Sequence, residues 1–202
     1  MSNVRKDTPL TLVVCAVSDA YRYDAAMEFK VFGPYVLPRG DGGIIRADRQ
    51  SAREFWERVE TDVPGLSEAC GCYVFCITAP KVARPWYVGK AEWQSFRREC
   101  LTPHKVNHYN TASVPRRGRP VIYFVAQVAP SGKFRRPTRT KRPAIAALEP
   151  LLIGLALTRN KRLLNVVGTR MMRELVVHGL LNSKGGGYKH AGPELKRILG
   201  AD

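Results

Sequence analysis

The sequence has no apolar run long enough to cross a membrane. The longest near the start, Leu10 to Val17, falls well short of the roughly 20 residues a spanning helix needs. The opening Met1-Ser2-Asn3-Val4-Arg5-Lys6-Asp7 lacks the apolar segment of a secretory leader. No internal repeat and no long low-complexity tract occurs. Cysteines are few and odd in number: Cys15, Cys70, Cys72, Cys76 and Cys100. These absences argue against membrane and disulfide-scaffold classes and predict free thiols in a reducing cytoplasm. Cys70, Cys72 and Cys76 fall on one face of a strand, opposite Tyr73. Their spacing is not that of a zinc knuckle and no fourth ligand is obvious, so small buried apolar side chains are the preferred reading. The last scarcity is acid. From Arg116 through Leu148 nine Lys/Arg stand without a single Asp or Glu.

That scarcity organises the charge. Of the net +16, residues 1–67 hold 9 Lys/Arg and 10 Asp/Glu, net −1, while residues 68–202 hold 24 Lys/Arg and 7 Asp/Glu, net +17. A basic excess confined to one part of the chain suggests a polyanion partner, most simply nucleic acid. It falls into two loops, Arg116, Arg117 and Arg119, then Lys133, Arg135, Arg136, Arg139, Lys141 and Arg142. Between them lies Val121–Val128, apolar throughout and read as a central strand. Such loops suit a clamp on the phosphate backbone. Phe134 is the one aromatic of the second loop, which argues against a stacking platform for single strands there.

At 202 residues and 45% hydrophobic content, the chain has enough apolar material for a real core. Glu28–Leu37 reads as extended, broken at Gly33-Pro34. Ser51–Glu60 reads as an amphipathic helix, with Ser51 as cap, Glu54 completing a capping box and Phe55, Trp56 and Val59 on the apolar side. Glu92 to Cys100 reads as helix with Trp93 and Phe96 inward. Pro103 breaks or restarts it, and His104 and His108 beyond it share a helix face. Ala144–Leu157 is apolar nearly all round and predicts a buried helix holding one carboxylate, Glu149. Pro150 inside it predicts either a kink or a helix start near the glutamate. Residues 169–182 and Pro193–Leu199 suggest further helices, joined by a Gly185-Gly186-Gly187 hinge.

The centre of the chain is a pair of short strand-like runs, Gly71-Cys72-Tyr73-Val74-Phe75 and Trp86-Tyr87-Val88-Gly89-Lys90, with Ala79-Pro80-Lys81 and Arg84-Pro85 reading as the turn between them. Arg97 follows ten residues after Tyr87, then Glu149 in its apolar run, then Asn165. This ordered set, G-x-Y, Y-x-G-K, Arg, Glu and Asn, resembles the GIY-YIG nuclease family over residues 68–168.

The resemblance implies an α/β (α+β) domain: a small, mainly antiparallel sheet of three strands flanked by helices. Residues 1–67 would then be an α+β extension and 169–202 a helical tail. It implies a catalytic set of Tyr73, Tyr87, Lys90, Arg97, Glu149 and Asn165, with Glu149 binding Mg²⁺ or Mn²⁺ and either His104 or His108 touching the scissile phosphate. Family mechanisms give deprotonation of the attacking water to the second-motif tyrosine, here Tyr87, with Lys90 as the cation beside it. Arg97 would face the phosphate, Tyr73 would position water or phosphate, and Asn165 would hold the site together. Double-stranded or branched DNA is the expected partner. Two other classes compete: a non-catalytic nucleic-acid-binding module on the same fold, and a basic structural protein. A pure binding module has no need of the carboxylate.

Overall fold

Four runs rich in β-branched and aromatic residues form one sheet, and the apolar stripes of the intervening helices close over both of its faces. The computed structural model describes residues 27–80, 82–165 and 169–174. Leu10–Val17, Cys15, the later part of the 169–182 helix, Gly185–Gly187 and Pro193–Leu199 lie outside the described residues. The strands are β1 (Glu28–Val36), β2 (Gly71–Ala79), β3 (Val82–Ala91) and β4 (Arg119–Val128). The helices are α1 (Arg49–Asp62), α2 (Phe96–Glu99), α3 (Pro103–Ser113), α4 (Pro143–Arg159) and α5 (Thr169–Glu174).

The sheet order is β1-β4-β2-β3, and every neighbouring pair is antiparallel. The sheet therefore has four strands where the sequence suggests three. The added strand comes from the 1–67 segment and pairs with β4 from Glu28↔Val128 to Val36↔Val121, with a register shift at Gly33-Pro34. Its place at the end of the strand order and its largely exposed residues make it an edge. Val121–Val128 is internal, as its continuous apolarity predicts.

Side chains alternate across the sheet. Tyr73, Phe75, Ile122 and Phe124 join Phe55, Trp56, Val59, Phe96 and Tyr109 on the face covered by α1, α2 and α3. Cys72, Val88 and Val125 meet Ile145, Ile153 and Leu157 on the face covered by α4. Cys70, Cys72, Cys76 and Cys100 are free and buried, and burial pushes the thiols of Cys72 and Cys76 up to about 12.

Several local expectations are corrected. Asp48, not Ser51, caps α1, accepting from the Ser51 amide at 3.0 Å, and Glu54 bonds Gln50 rather than closing a capping box. An acidic side chain one turn earlier supplies the acceptor that the third helical amide needs. Pro85 lies within β3, so the turn is confined to the few residues between Ala79 and Val82. Between Glu92 and Cys100 only Phe96–Glu99 is helical, and Trp93 is 51% exposed rather than inward. Helix α4 runs unbroken through Pro150, but it is not buried all round: Leu151 and Leu155 are exposed. A helix on one face of a sheet can bury only the stripe that meets it.

Trp56 shows that α1 belongs to the same core. It is 3% exposed and packs against Phe55 and Phe124 at ring distances of 4.9 and 5.7 Å. Replacing it with Ala should cost about 3–5 kcal/mol of stability, measured by urea unfolding. An unchanged midpoint would show that α1 does not share the core.

Candidate active site on the edge strand

Strand β3 is the free edge of the sheet, and a bulge shapes it. Phe75 pairs with Tyr87 but Cys76 pairs with Pro85, leaving Trp86 as the extra residue. Trp86 and Tyr87 consequently both turn into the α1–α3 side. Pro85 sits at the bulge on an edge strand, where a missing N–H is tolerated.

Tyr73 stands opposite Gly89 on β2. The match between them is tight: a Cβ on Gly89 would lie 2.3 Å from Tyr73 Cζ, so the motif glycine makes room for the motif phenol. The Tyr73 ring is fully buried, and its hydroxyl has no hydrogen-bond partner among the described residues. Burial foremost, then the neighbouring Tyr109, Cys100, Tyr87 and Glu99, raises its pKa well above the usual phenol range.

The Tyr87 ring lies 6.3 Å from that of Tyr73. Its hydroxyl accepts from Lys105 Nζ at 2.8 Å, and the His108 ring stacks on it at 5.3 Å. The His108 and His104 Nε2 atoms are 3.2 Å apart. Burial, then the His104 and Lys105 charges, lowers the His108 pKa below the usual imidazole value. Burial opposes the Lys105 charge, but the Tyr87 hydroxyl and Glu99, 3.4 Å away, outweigh it and raise its pKa.

Lys90 points the other way, toward α4. Its Nζ lies 3.2 Å from Glu149 Oε2 and 3.7 Å from Glu92 Oε2. Burial works against its charge too, and Glu149 and then Glu92 more than offset it, raising its pKa. The cation at the Tyr87 hydroxyl is thus Lys105, not Lys90. Glu92 is 6% exposed and accepts from the Arg142 amide at 2.8 Å. Glu149 pairs with Lys90.

Asn165 closes the strand. Its amide accepts from Val88 N at 2.9 Å and donates to Val88 O at 2.6 Å. Asn160 Nδ2 donates to Pro85 O and Leu164 N to Trp86 O. The segment after α4 thereby satisfies edge groups that would otherwise be bare. Arg97 lies elsewhere: its guanidinium bonds Ser67 Oγ, pairs with Glu68 at 3.2 Å and lies 6.0 Å over the Trp56 ring.

Five of the six candidate residues therefore gather around Tyr87-Val88-Gly89-Lys90, on two faces. Tyr73, Tyr87, His104 and His108 lie on the α3 side, and Lys90 and Glu149 on the α4 side. Among the described residues no contact joins Glu149 to either tyrosine. Sequence reasoning missed Lys105, Glu99 and Glu92. One had a readable signal: Lys105 lies three residues before His108 on one helix face.

Glu149 and Glu92 are hard oxygen donors, and the Glu149 side chain is 25% exposed. Among the described residues no group of three or more His, Cys, Asp and Glu forms a metal cluster. A donor set of one or two carboxylates suits Mg²⁺ or Mn²⁺, with water and substrate oxygens completing the coordination.

The nine basic candidates divide by what they already touch. Arg116 caps the end of α3, donating to Ala112 O at 2.6 Å, and lies 3.7 Å over the Trp86 ring. Arg142 donates to Arg136 O at 2.7 Å. Arg117, Arg119, Lys133, Arg135, Arg136, Arg139 and Lys141 are exposed, and none pairs with a carboxylate among the described residues. The two loops lie at opposite ends of β4, ten residues or about 30 Å apart. The 133–142 loop is at the end that holds Glu92 and Lys90.

No family model, no curated protein and no solved structure matches the chain.

The Asn165 contact makes a directional prediction. Asn165→Asp keeps the acceptor for Val88 N–H but replaces the donor to Val88 C=O with negative charge. It should destabilise by about 1–3 kcal/mol and speed amide exchange along Trp86–Val88, read by thermal unfolding and hydrogen exchange. Unaltered exchange there would show that the amide does not hold the edge.

Proposed function

We propose that the chain is a metal-dependent endonuclease of GIY-YIG type that hydrolyses phosphodiester bonds in DNA. The observation that carries this reading is the assembly of Tyr73, Tyr87, Lys90, Glu149 and Asn165 around one four-residue stretch of edge strand. Residues from three separated parts of the chain meet there, and two of them, Tyr73 and Glu149, bring groups a sheet edge does not need for stability.

In this reading Glu149, with Glu92 on the other side of Lys90, would hold the cation. When bound, Mg²⁺ or Mn²⁺ would supply Lewis acidity toward the phosphodiester and charge stabilisation for the leaving oxygen. Lys105 orients Tyr87 by donating to its oxygen. As the phenolate, its own proton given up to solvent and its charge facing Lys105, Tyr87 is the candidate to take a proton from the attacking water. His104 and His108 sit beside it as phosphate donors, and the lowered pKa of His108 leaves it neutral near pH 7, one ring nitrogen donating and the other accepting. Asn165 fixes the strand that carries Tyr87 and Lys90. The exposed arginines and lysines of the two loops hold the backbone.

A second reading, a nucleic-acid-binding module that does not cut, draws on two observations. Arg97 is tied to Ser67 and Glu68, and the sheet lies between Glu149 and the tyrosine pair. Cleavage of labelled duplex, branched and single-stranded DNA, and of RNA, with Mg²⁺ or Mn²⁺ separates the two. Glu149→Ala should lower metal-dependent cutting at least about a hundredfold while leaving binding in EDTA intact. Tight binding without cutting by the unaltered protein, across metals and substrates, would favour the module.

The loops give a separate expectation. Replacing Arg135, Arg136 and Arg139 together with Ala should weaken binding evenly across sequences and reduce the slope of log K against log salt by about 2–3. An unchanged slope would place the electrostatic footprint elsewhere.

A further inference from the structure

A shallow groove of about 270 Å³ opens between the Glu92–Arg98 segment and the basic loop at Arg139. Its walls are unusual for a surface crease. Trp93 is 51% exposed, and its indole has no ring partner among the described residues. The chain's other two tryptophans, Trp56 and Trp86, are buried at 3% and 5% exposure. Arg98 and Arg139 flank the groove, exposed and without carboxylate partners. Gln94 contributes an exposed amide. Ser95 in the wall is 3% exposed, and its hydroxyl has no hydrogen-bond partner among the described residues. The one acid, Glu68, is already paired with Arg97 at 3.2 Å.

An indole face, two free guanidiniums, an amide and an unsatisfied hydroxyl make a combination that fits one class of ligand. The indole offers a stacking surface for a planar ring. The guanidiniums suit a phosphate. The amide and hydroxyl suit the polar edge of a base. The volume lies below the roughly 300–1,000 Å³ of drug-sized pockets and fits a single ring system. In duplex DNA the bases are stacked and cannot reach such a surface; an unpaired nucleotide can.

We propose that this groove binds one unpaired nucleotide of a DNA substrate, with Trp93 stacking on the base and Arg98 and Arg139 holding its phosphate. The proposal rests on the nuclease reading and deepens it. Trp93 follows Glu92 directly in the chain, so the groove lies one residue from a carboxylate that flanks Lys90. A nucleotide seated there places the junction of paired and unpaired DNA next to Glu149. The preferred substrate is then a duplex with a short single-stranded overhang or flap.

The test is equilibrium binding in EDTA, where nothing is cut. Fluorescence anisotropy compares the full chain on a labelled blunt hairpin and on the same hairpin with a short overhang. The unaltered protein should bind the overhang form more tightly, and its tryptophan emission should fall on binding, because Trp93 is the one accessible indole. Trp93→Ala should weaken overhang binding roughly ten- to a hundredfold and leave blunt binding unchanged. Trp93→Phe, which keeps a stacking ring, should retain most of the preference. Equal affinity for both hairpins, or a preference that survives Trp93→Ala, would overturn the groove and leave the nuclease reading standing. Failure to bind either hairpin would overturn both.

Discussion

The two hydrogen bonds between the Asn165 amide and the Val88 backbone fix the geometry on which the rest of the site depends. A sheet edge carries alternating unpaired N–H and C=O groups, and β3 is such an edge at the position of the Y-x-G-K residues. One side-chain amide, acting as both donor and acceptor, does for Val88 what a neighbouring strand would do. Asn160 and Leu164 continue the cover toward Pro85 and Trp86. The segment leaving α4 is thereby bound to the strand that carries Tyr87 and Lys90, and α4 brings Glu149 with it. Loss of the amide would free the strand and, with it, the distance between Lys90 and Glu149.

The Trp86 bulge decides which way each motif side chain faces. Without the extra residue, strand alternation would send Trp86 and Tyr87 to opposite sides. With it, Tyr87 joins Tyr73 over Gly89 while Lys90 is directed to α4. Each face then has its own ionic pair: Lys105 with Glu99 beside Tyr87, and Lys90 with Glu149 and Glu92 beyond the edge. In both cases partial burial opposes the charge, and the neighbours more than offset it: Glu149 and Glu92 at Lys90, the Tyr87 hydroxyl and Glu99 at Lys105.

The ordered spacing of Gly71, Tyr73, Tyr87, Gly89, Lys90, Glu149 and Asn165 was legible in the sequence, as were the apolar central strand and the face shared by His104 and His108. Local chemistry sets those features. What escaped was set by packing. The run Glu28–Val36 reads as extended but is interrupted by Gly33-Pro34, so its membership of the sheet appears only once β4 offers a partner edge. Trp93 looked like the inward residue of a helix, but β3 runs on to Ala91 and only a single short helical turn follows, so its indole stays outside. Arg97 has the expected spacing from Tyr87, but α2 is too short and too close to α1 to carry it to the strand edge, and Ser67, Glu68 and Trp56 hold it there instead. Lys105 fell between two histidines that drew the attention a cation next to a phenol merits.

The charge distribution follows from the same topology. The basic loops lie at the two ends of β4, about 30 Å apart, a span that matches about nine base pairs of duplex at ~3.4 Å per pair. They therefore suit contact along a helix axis rather than a ring around it. Only the 133–142 loop lies at the end with the carboxylates and the Trp93 groove. The sheet is thus asymmetric, with a charged loop and an open tryptophan at one end and a structural Arg116 over Trp86 at the other, so the free cations and the one accessible indole share the end where Glu92 and Glu149 flank Lys90.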